Sequence, residues 1–225
     1  FDAYINTFGG DPVSIFGGIV AVNRALDGKT AEEMKKTFLE VILAPSFSKE
    51  ALEVLSSKKN LRLIQCDTPS SESRESLTID GGLLVQDTDL KAPEKMEVVT
   101  KSQPENNQIS DMLFGEIICK YVKSNAIVIV KDKQIIGVGS GQVNRIWAAE
   151  QALERAAGKS SAGRADGAVL ISDAFMPFPD VVRAADKLGF VQEKIFKHYI
   201  MVPFGLEGVL EVVNIVKDGK YNLKE

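Results

Sequence analysis

Histidine is nearly missing: one His stands among 225 residues, beside two Cys and one Trp. That scarcity removes whole classes of chemistry. A Ser-His-Asp triad would have to use His198, which sits in an apolar, poorly patterned tail. A zinc deaminase needs a His or Cys followed by Glu and then a Pro-Cys-x-x-Cys pair, and no such pair occurs. Two cysteines, Cys66 and Cys119, are too few for a disulfide framework and are expected to be reduced, buried thiols. No apolar run approaches a membrane span. Phe1 to Gly10 has no basic leader ahead of an apolar stretch, so no secretory signal is expected and a cytoplasmic address is the default. A strong basic excess is lacking too. The net charge is −4 with Lys and Arg spread along the chain, which argues against nucleic acid and anionic membranes as partners.

Two phosphate-binding motifs fail on spacing. Gly158-Lys159-Ser160 looks like the end of a P-loop, but that loop needs a glycine where this chain has Leu153. Gly137-Val-Gly139-Ser-Gly141 is not a dinucleotide fingerprint, because Gln142 takes the place of the third glycine.

What is present is ordinary soluble composition, 44 % hydrophobic and 26 % charged. Helix and strand signals alternate. Gly18 to Val22 and Glu40 to Ala44 read as buried strands, the second stopped by Pro45, and Leu61 to Ile64 reads as a further strand. Thr30-Ala-Glu-Glu33 has the form of a capping box opening a helix through Phe38, and Ser48 to Lys58 reads as a second helix. Asp67 to Asp80, rich in Ser, Thr, Glu and Pro, reads as a surface loop before a strand over Gly82 to Gln86. Ile109, Leu113, Ile117 and Tyr121 recur every four residues on one face of a helix. Asn125 to Val130 and Gln134 to Val138 suggest antiparallel strands across Lys131-Asp-Lys133. A glycine turn at Gly139-Ser-Gly141, a helix from about Gln142 to Ala157, a flexible connection over Gly158 to Gly167, a strand Ala168 to Ile171 and a helix Asp180 to Leu188 follow. This is α/β organisation, with a lobe boundary expected in the loops near Asp87 to Lys101.

Four segments put small, polar and aromatic residues at strand edges, where sites in α/β folds are commonly built. They are Asp11-Pro-Val-Ser-Ile-Phe-Gly-Gly18, Lys123-Ser-Asn-Ala126, Gly137 to Arg145, and Ser172-Asp-Ala-Phe-Met-Pro-Phe178. Singly each is weak: the glycines could serve turns, the rings the core, and Arg145 a solvated helix face. In this order, with Glu40-Val-Ile-Leu-Ala-Pro45, Gly81-Gly-Leu-Leu-Val-Gln-Asp87 and Val98-Val-Thr-Lys-Ser-Gln-Pro104, they resemble the formyltransferase half of the bifunctional purine-biosynthesis family that also carries an inosine monophosphate cyclohydrolase half. The resemblance spans roughly Phe1 to Phe190.

The resemblance implies an α/β fold of two cytidine-deaminase-like lobes with mixed sheets flanked by helices. Residues 1–100 would form an N-terminally incomplete first lobe, and residues 101–225 a second lobe with a divergent tail. It implies formyl transfer from 10-formyltetrahydrofolate, as co-substrate and without metal, to aminoimidazole carboxamide ribonucleotide, by a homodimer. By resemblance Asn125 is the catalytic carboxamide; Phe16, Gly17, Glu40 and Arg145 match substrate-binding positions; Ile146, Phe175 and Asp180 match the folate side. The chemistry suits these types. The substrate amine is a poor nucleophile, so its proton must be removed while neutral donors stabilise the oxyanion forming on the formyl group.

Two departures stand against full activity. The family's catalytic Lys-His pair lies upstream of the segment that begins here at Phe1, and Lys197-His198 has those letters at another place in the order. Val191 to Glu225 has no match to the family's closing segment. The expectation is weak ribonucleotide binding and little turnover by the chain as it stands. The rival readings are a silent ligand-binding or dimerisation remnant of that domain and a deaminase-like hydrolase.

Overall fold

A computed structural model describes residues 1–67, 74–89, 98, 103–158, 165, 167–173, 176, 178, 180–187 and 199–201. The chain divides into two compact units, Phe1–Glu97 and Val98–Glu225.

In the first unit α1 (Asp2–Gly10) precedes β1 (Gly18–Ala21), α2 (Gly28–Met34), β2 (Leu39–Ala44), α3 (Lys49–Leu55) and β3 (Arg62–Gln65). The strands form one parallel sheet in the order β1-β2-β3. Parallel neighbours need crossover connections, which α2 and α3 supply. Each of these helices starts where a side chain takes an otherwise orphaned N–H. Asp27 accepts from Thr30 N at 2.7 Å and Ser48 from Ala51 N at 3.1 Å. Helix α2 therefore begins at Gly28 under an Asp27 cap, two residues before the expected Thr30 start. Tyr4, Leu26, Ala31, Met34, Leu39, Ile42, Ala44, Ala51 and Leu55 make the core.

The expected surface loop over Asp67 to Asp80 is in part a strand: β4 (Arg74–Ile79) pairs antiparallel with β5 (Gly82–Asp87). The alternation Glu75-Ser-Leu77-Thr-Ile79 ahead of Asp80-Gly81 is a hairpin signal that polar composition masked. Gly81 takes φ +74° in the turn, a left-handed conformation that glycine adopts without a Cβ clash.

The second unit contains α4 (Asn106–Lys120), β6 (Ile127–Lys131), β7 (Gln134–Gly139), α5 (Arg145–Ala157), β8 (Val169–Ser172), α6 (Asp180–Lys187) and β9 (Tyr199–Met201). Its sheet runs β7-β6-β8-β9, antiparallel except for β8 with β9. Strand β6 shows why both faces are covered. Ile127 and Ile129 join the core formed with α5 and α6, while Val128 and Val130 join that formed with α4. A period of two with both faces apolar buries the strand between helix layers. The β6–β7 turn has Asp132 and Lys133 at φ 51° and 56°, the primed geometry of a two-residue hairpin. The buried Asp111 carboxylate on α4 accepts both of their N–H groups, at 2.8 and 2.7 Å.

Glycines 137 and 139 are strand residues, not the turn expected at Gly139. An added Cβ would lie 2.1 Å from Ala152 O at Gly137 and 1.8 Å from Ala148 O at Gly139. Their absent side chains let β7 approach α5 along its alanine face, where Ala148, Ala149, Ala152 and Ala156 are buried. A register shift between Ile129 and Val130 leaves Ile136 without an opposite residue, which breaks the strict alternation of β7.

Past the half-buried Ile109, the four-residue apolar series of α4 is on the outer side. Leu113, Ile117 and Tyr121 are exposed, and Met112, Gly115 and Cys119 face the sheet. Of the two thiols, Cys119 is buried as expected, but Cys66 is exposed, one residue past β3. Burial first, then the Asp173 carboxylate, pushes the Cys119 thiol up to about 12. The thiolate is the reactive form. At pH 8 Cys66 should therefore react with a disulfide reagent in the folded protein and Cys119 only after denaturation; two fast thiols in the native state would contradict this placement.

Candidate functional site

In the first unit Gly17, Glu40 and Phe16 converge around the start of β2. Gly17 has φ +75°, and its N–H donates to Phe38 O at 2.8 Å. A Cβ at Gly17 would come to 3.9 Å from the Phe38 ring and 4.0 Å from a Glu40 carboxylate oxygen. Phe16 is exposed, with its ring 5.2 Å from that of Phe38 and tilted by 44°. Glu40 lies 3.9 Å from Arg62 on the neighbouring strand β3, both largely exposed. Phe38 and Arg62 were missed by the sequence reading, because only the fold brings them to Phe16 and Glu40.

In the second unit three loop ends meet. The Asn125 carboxamide donates to Gln142 O at 2.9 Å, and the Gly141 N–H donates to Lys123 O at 2.6 Å. These bonds tie the segment before β6 to the glycine turn before α5. The Ser124–Asn125 peptide is cis. Helix α5 is capped by Asn144, whose side chain accepts from Trp147 N at 3.0 Å, so the helix opens at Arg145 and not at Gln142. Arg145 Nη1 donates to Ser172 Oγ at 2.9 Å and pairs with the Asp173 carboxylate at the end of β8. Asp173 also accepts from Ala126 N at 3.0 Å, and its own N–H donates to Ala126 O at 3.3 Å. Asn125 and Arg145 thus belong to one junction, with Asp173 at its centre.

Asp173 was not among the sequence candidates. Its signal was a Ser-Asp pair closing an apolar strand inside a segment already marked as unusual. Burial pushes its carboxyl up, but hydrogen bonds from the Ser124 side chain, Ala126 N–H and Arg145 outweigh this and hold it below the ordinary 3.8. The sign follows from linkage. The junction's contribution to stability is complete above the ordinary carboxylate value and is lost as pH falls through the depressed one.

The folate-side residues fare differently. Ile146 follows Arg145 on α5 and packs, half-buried, against the α5–α6 core. Asp180 opens α6, its carboxylate accepting from Val181 N at 2.9 Å. Phe175 and the Lys197-His198 pair lie outside the described residues, as does most of the Gly158 to Gly167 connection. A cleft of about 840 Å³ in the first unit, lined by α1 and residues 20–27, contains none of these candidates. The buried Tyr4 hydroxyl on its wall has no hydrogen-bond partner among the described residues. Among the described residues no group of three or more His, Cys, Asp or Glu side chains could hold a metal ion, and no helix is long and apolar enough to cross a membrane.

Comparison with known proteins shows the family of the chain. Residues 177–225 match the model of the ATPsynthase alpha/beta subunit barrel-sandwich domain. Similar proteins include the bifunctional purine biosynthesis protein PurH of Clostridium kluyveri, 54 % identical over 189 residues, and that of Clostridium botulinum strain Kyoto, 52 % identical over 188. The PurH of Clostridium perfringens strain SM101 is 53 % identical over 188 residues. Each alignment covers 84 % of this chain but 36 % of the relative, so the chain spans little more than a third of the length of the curated relatives it matches. Residues 1–155, which carry both junctions except Ser172 and Asp173, match the model of the AICARFT/IMPCHase bienzyme, and the chain belongs to that family.

Proposed function

We propose that this chain is part of a formyltransferase that moves the formyl group of 10-formyltetrahydrofolate to the amine of aminoimidazole carboxamide ribonucleotide in purine biosynthesis. The observation that carries the reading is the junction in which Asn125 and Arg145 are locked together by backbone and carboxylate bonds. Arg145 offers further donors on Nη2 and Nε to an anionic ribonucleotide. Asn125 uses one N–H on Gln142 O, which orients the carboxamide and directs its second N–H to an oxyanion developing on the formyl carbon. Gly17 and Glu40, with Phe16 beside them, match substrate-binding positions of the family within the first unit. Ile146 supplies an apolar surface for the pterin, Phe175 a ring, and Asp180 a carboxylate for its amino-pyrimidine edge.

The same reading takes the units as cytidine-deaminase-like lobes, divided near residues 100 and 101, of a cytoplasmic homodimer. A specific observation favours a second reading. The described junctions contain donors and a paired carboxylate but no His, so the chain could serve as a silent ligand-binding remnant of the domain. Calorimetric titration with the ribonucleotide, followed by a formyl-transfer assay, separates the two. Saturable binding with turnover supports the transferase, binding without turnover supports the remnant, and no binding at all sinks both.

A further inference from the structure

The carboxylate beside Arg145 is at odds with simple anion attraction. An arginine that served only as positive charge would be weakened by a neighbouring negative one, yet here the two are paired with side chains only 13 % and 19 % exposed. What the pairing provides is direction. Asp173 and Ser172, adjacent at the end of β8, both accept from Nη1, so the guanidinium is anchored at that nitrogen and the orientation of its Nη2 and Nε donors is restricted. The same carboxylate accepts the Ala126 N–H next to Asn125, and the Asp173 N–H returns a bond to Ala126 O. One residue therefore sets the positions of Arg145 and Asn125 relative to each other. Ordering a long side chain in advance removes an entropy cost that a ligand would otherwise meet on binding.

We propose that Asp173 is a positioning residue: it acts through Arg145 and the Asn125 segment, and fixes their geometry for an anionic ligand at the expense of net positive charge. The identity of that ligand as the ribonucleotide rests on the formyltransferase reading; the clamp itself does not.

The sign of one substitution separates geometry from charge. Asp173→Asn keeps the size of the side chain and an oxygen for the Ala126 N–H, but drops the charge that holds the guanidinium. If Asp173 merely offsets charge, the variant binds the ribonucleotide more tightly. If it positions, the variant binds more weakly, by about tenfold, the scale of one charge-assisted hydrogen bond. Two readouts on the full chain test this: calorimetric affinity for aminoimidazole carboxamide ribonucleotide, and the rate at which phenylglyoxal modifies Arg145, mapped by mass spectrometry. We expect weaker binding together with modification of Arg145 faster by about tenfold, as its protection depends on the pair. Ser172→Ala, which removes only a neutral partner, should move both readouts the same way by a few-fold, and it carries the test should Asp173→Asn not fold. Unchanged protection of Arg145, or tighter binding by Asp173→Asn, overturns the proposal. Released Arg145 in the variant of a chain that binds no ribonucleotide upholds the clamp and sinks the formyltransferase reading instead.

Discussion

Gly139→Ala should destabilise the second unit by about 3 kcal/mol, at the upper end of what overpacked cores usually cost. The added methyl would stand 1.8 Å from Ala148 O and 2.5 Å from its carbonyl carbon. Those are backbone atoms of a helix. No rotamer change can clear them, so α5 as a whole must lift from β7. Lifting α5 opens contacts among Ile127, Ile136, Ala152 and Leu153, all in the same buried cluster. Gly82→Ala is the matched control, since its Cβ would meet only Ile79 side-chain atoms at 3.7 and 3.8 Å. It should stay within about 0.5 kcal/mol of the wild type. Denaturant titration followed by circular dichroism compares them, and equal midpoints for the two variants would refute the close β7–α5 packing.

Under the proposed function, Asn125→Ala should reduce kcat for formyl transfer by ~10²–10³-fold in any preparation that turns over, the usual cost of losing one oxyanion donor. Ribonucleotide affinity should change little, because an oxyanion exists only after attack has begun. The structure adds a condition. The carboxamide also ties Lys123-Ser-Asn-Ala126 to the glycine turn through Gln142 O, so the variant should lose about 1 kcal/mol of stability as well. A loss of affinity as large as the loss of rate would mean that Asn125 holds the ground state or the loop and not the transition state.

Much of the architecture was readable without coordinates. The capping oxygen of Ser48, the apolar pairs of β6 and the Lys131-Asp-Lys133 turn are local signals, and local signals survive translation into structure. Three features were hidden for physical reasons. Strand β4 has polar residues at every second position, and both faces of its hairpin are exposed within the described unit, so composition imitated a loop. Gly139 looked like a turn residue because its cause, the Ala148 carbonyl, lies nine positions away in sequence. The apolar series marked one face of α4, yet Leu113, Ile117 and Tyr121 of it are exposed, Tyr121 at 78 %, because Gly115 and Cys119 allow the sheet to approach the opposite side. The site was legible in part. Asn125 and Arg145 occur in unusual segments, but that Asp173 joins them depends on antiparallel pairing of β6 with β8, which brings Ile127 opposite Ser172.

Trp147 is the one indole in the chain; it lies two residues beyond Arg145, on the first turn of α5, and is half-exposed. Its emission, excited at the red edge where tyrosine no longer absorbs, comes from the second unit alone. An indole that is already half in water shifts and dims as its helix unfolds, so the signal follows the second unit without contribution from the first. The protein thus carries its own optical reporter on the helix that Arg145 opens, and the stability of that unit can be read apart from the other's without a label.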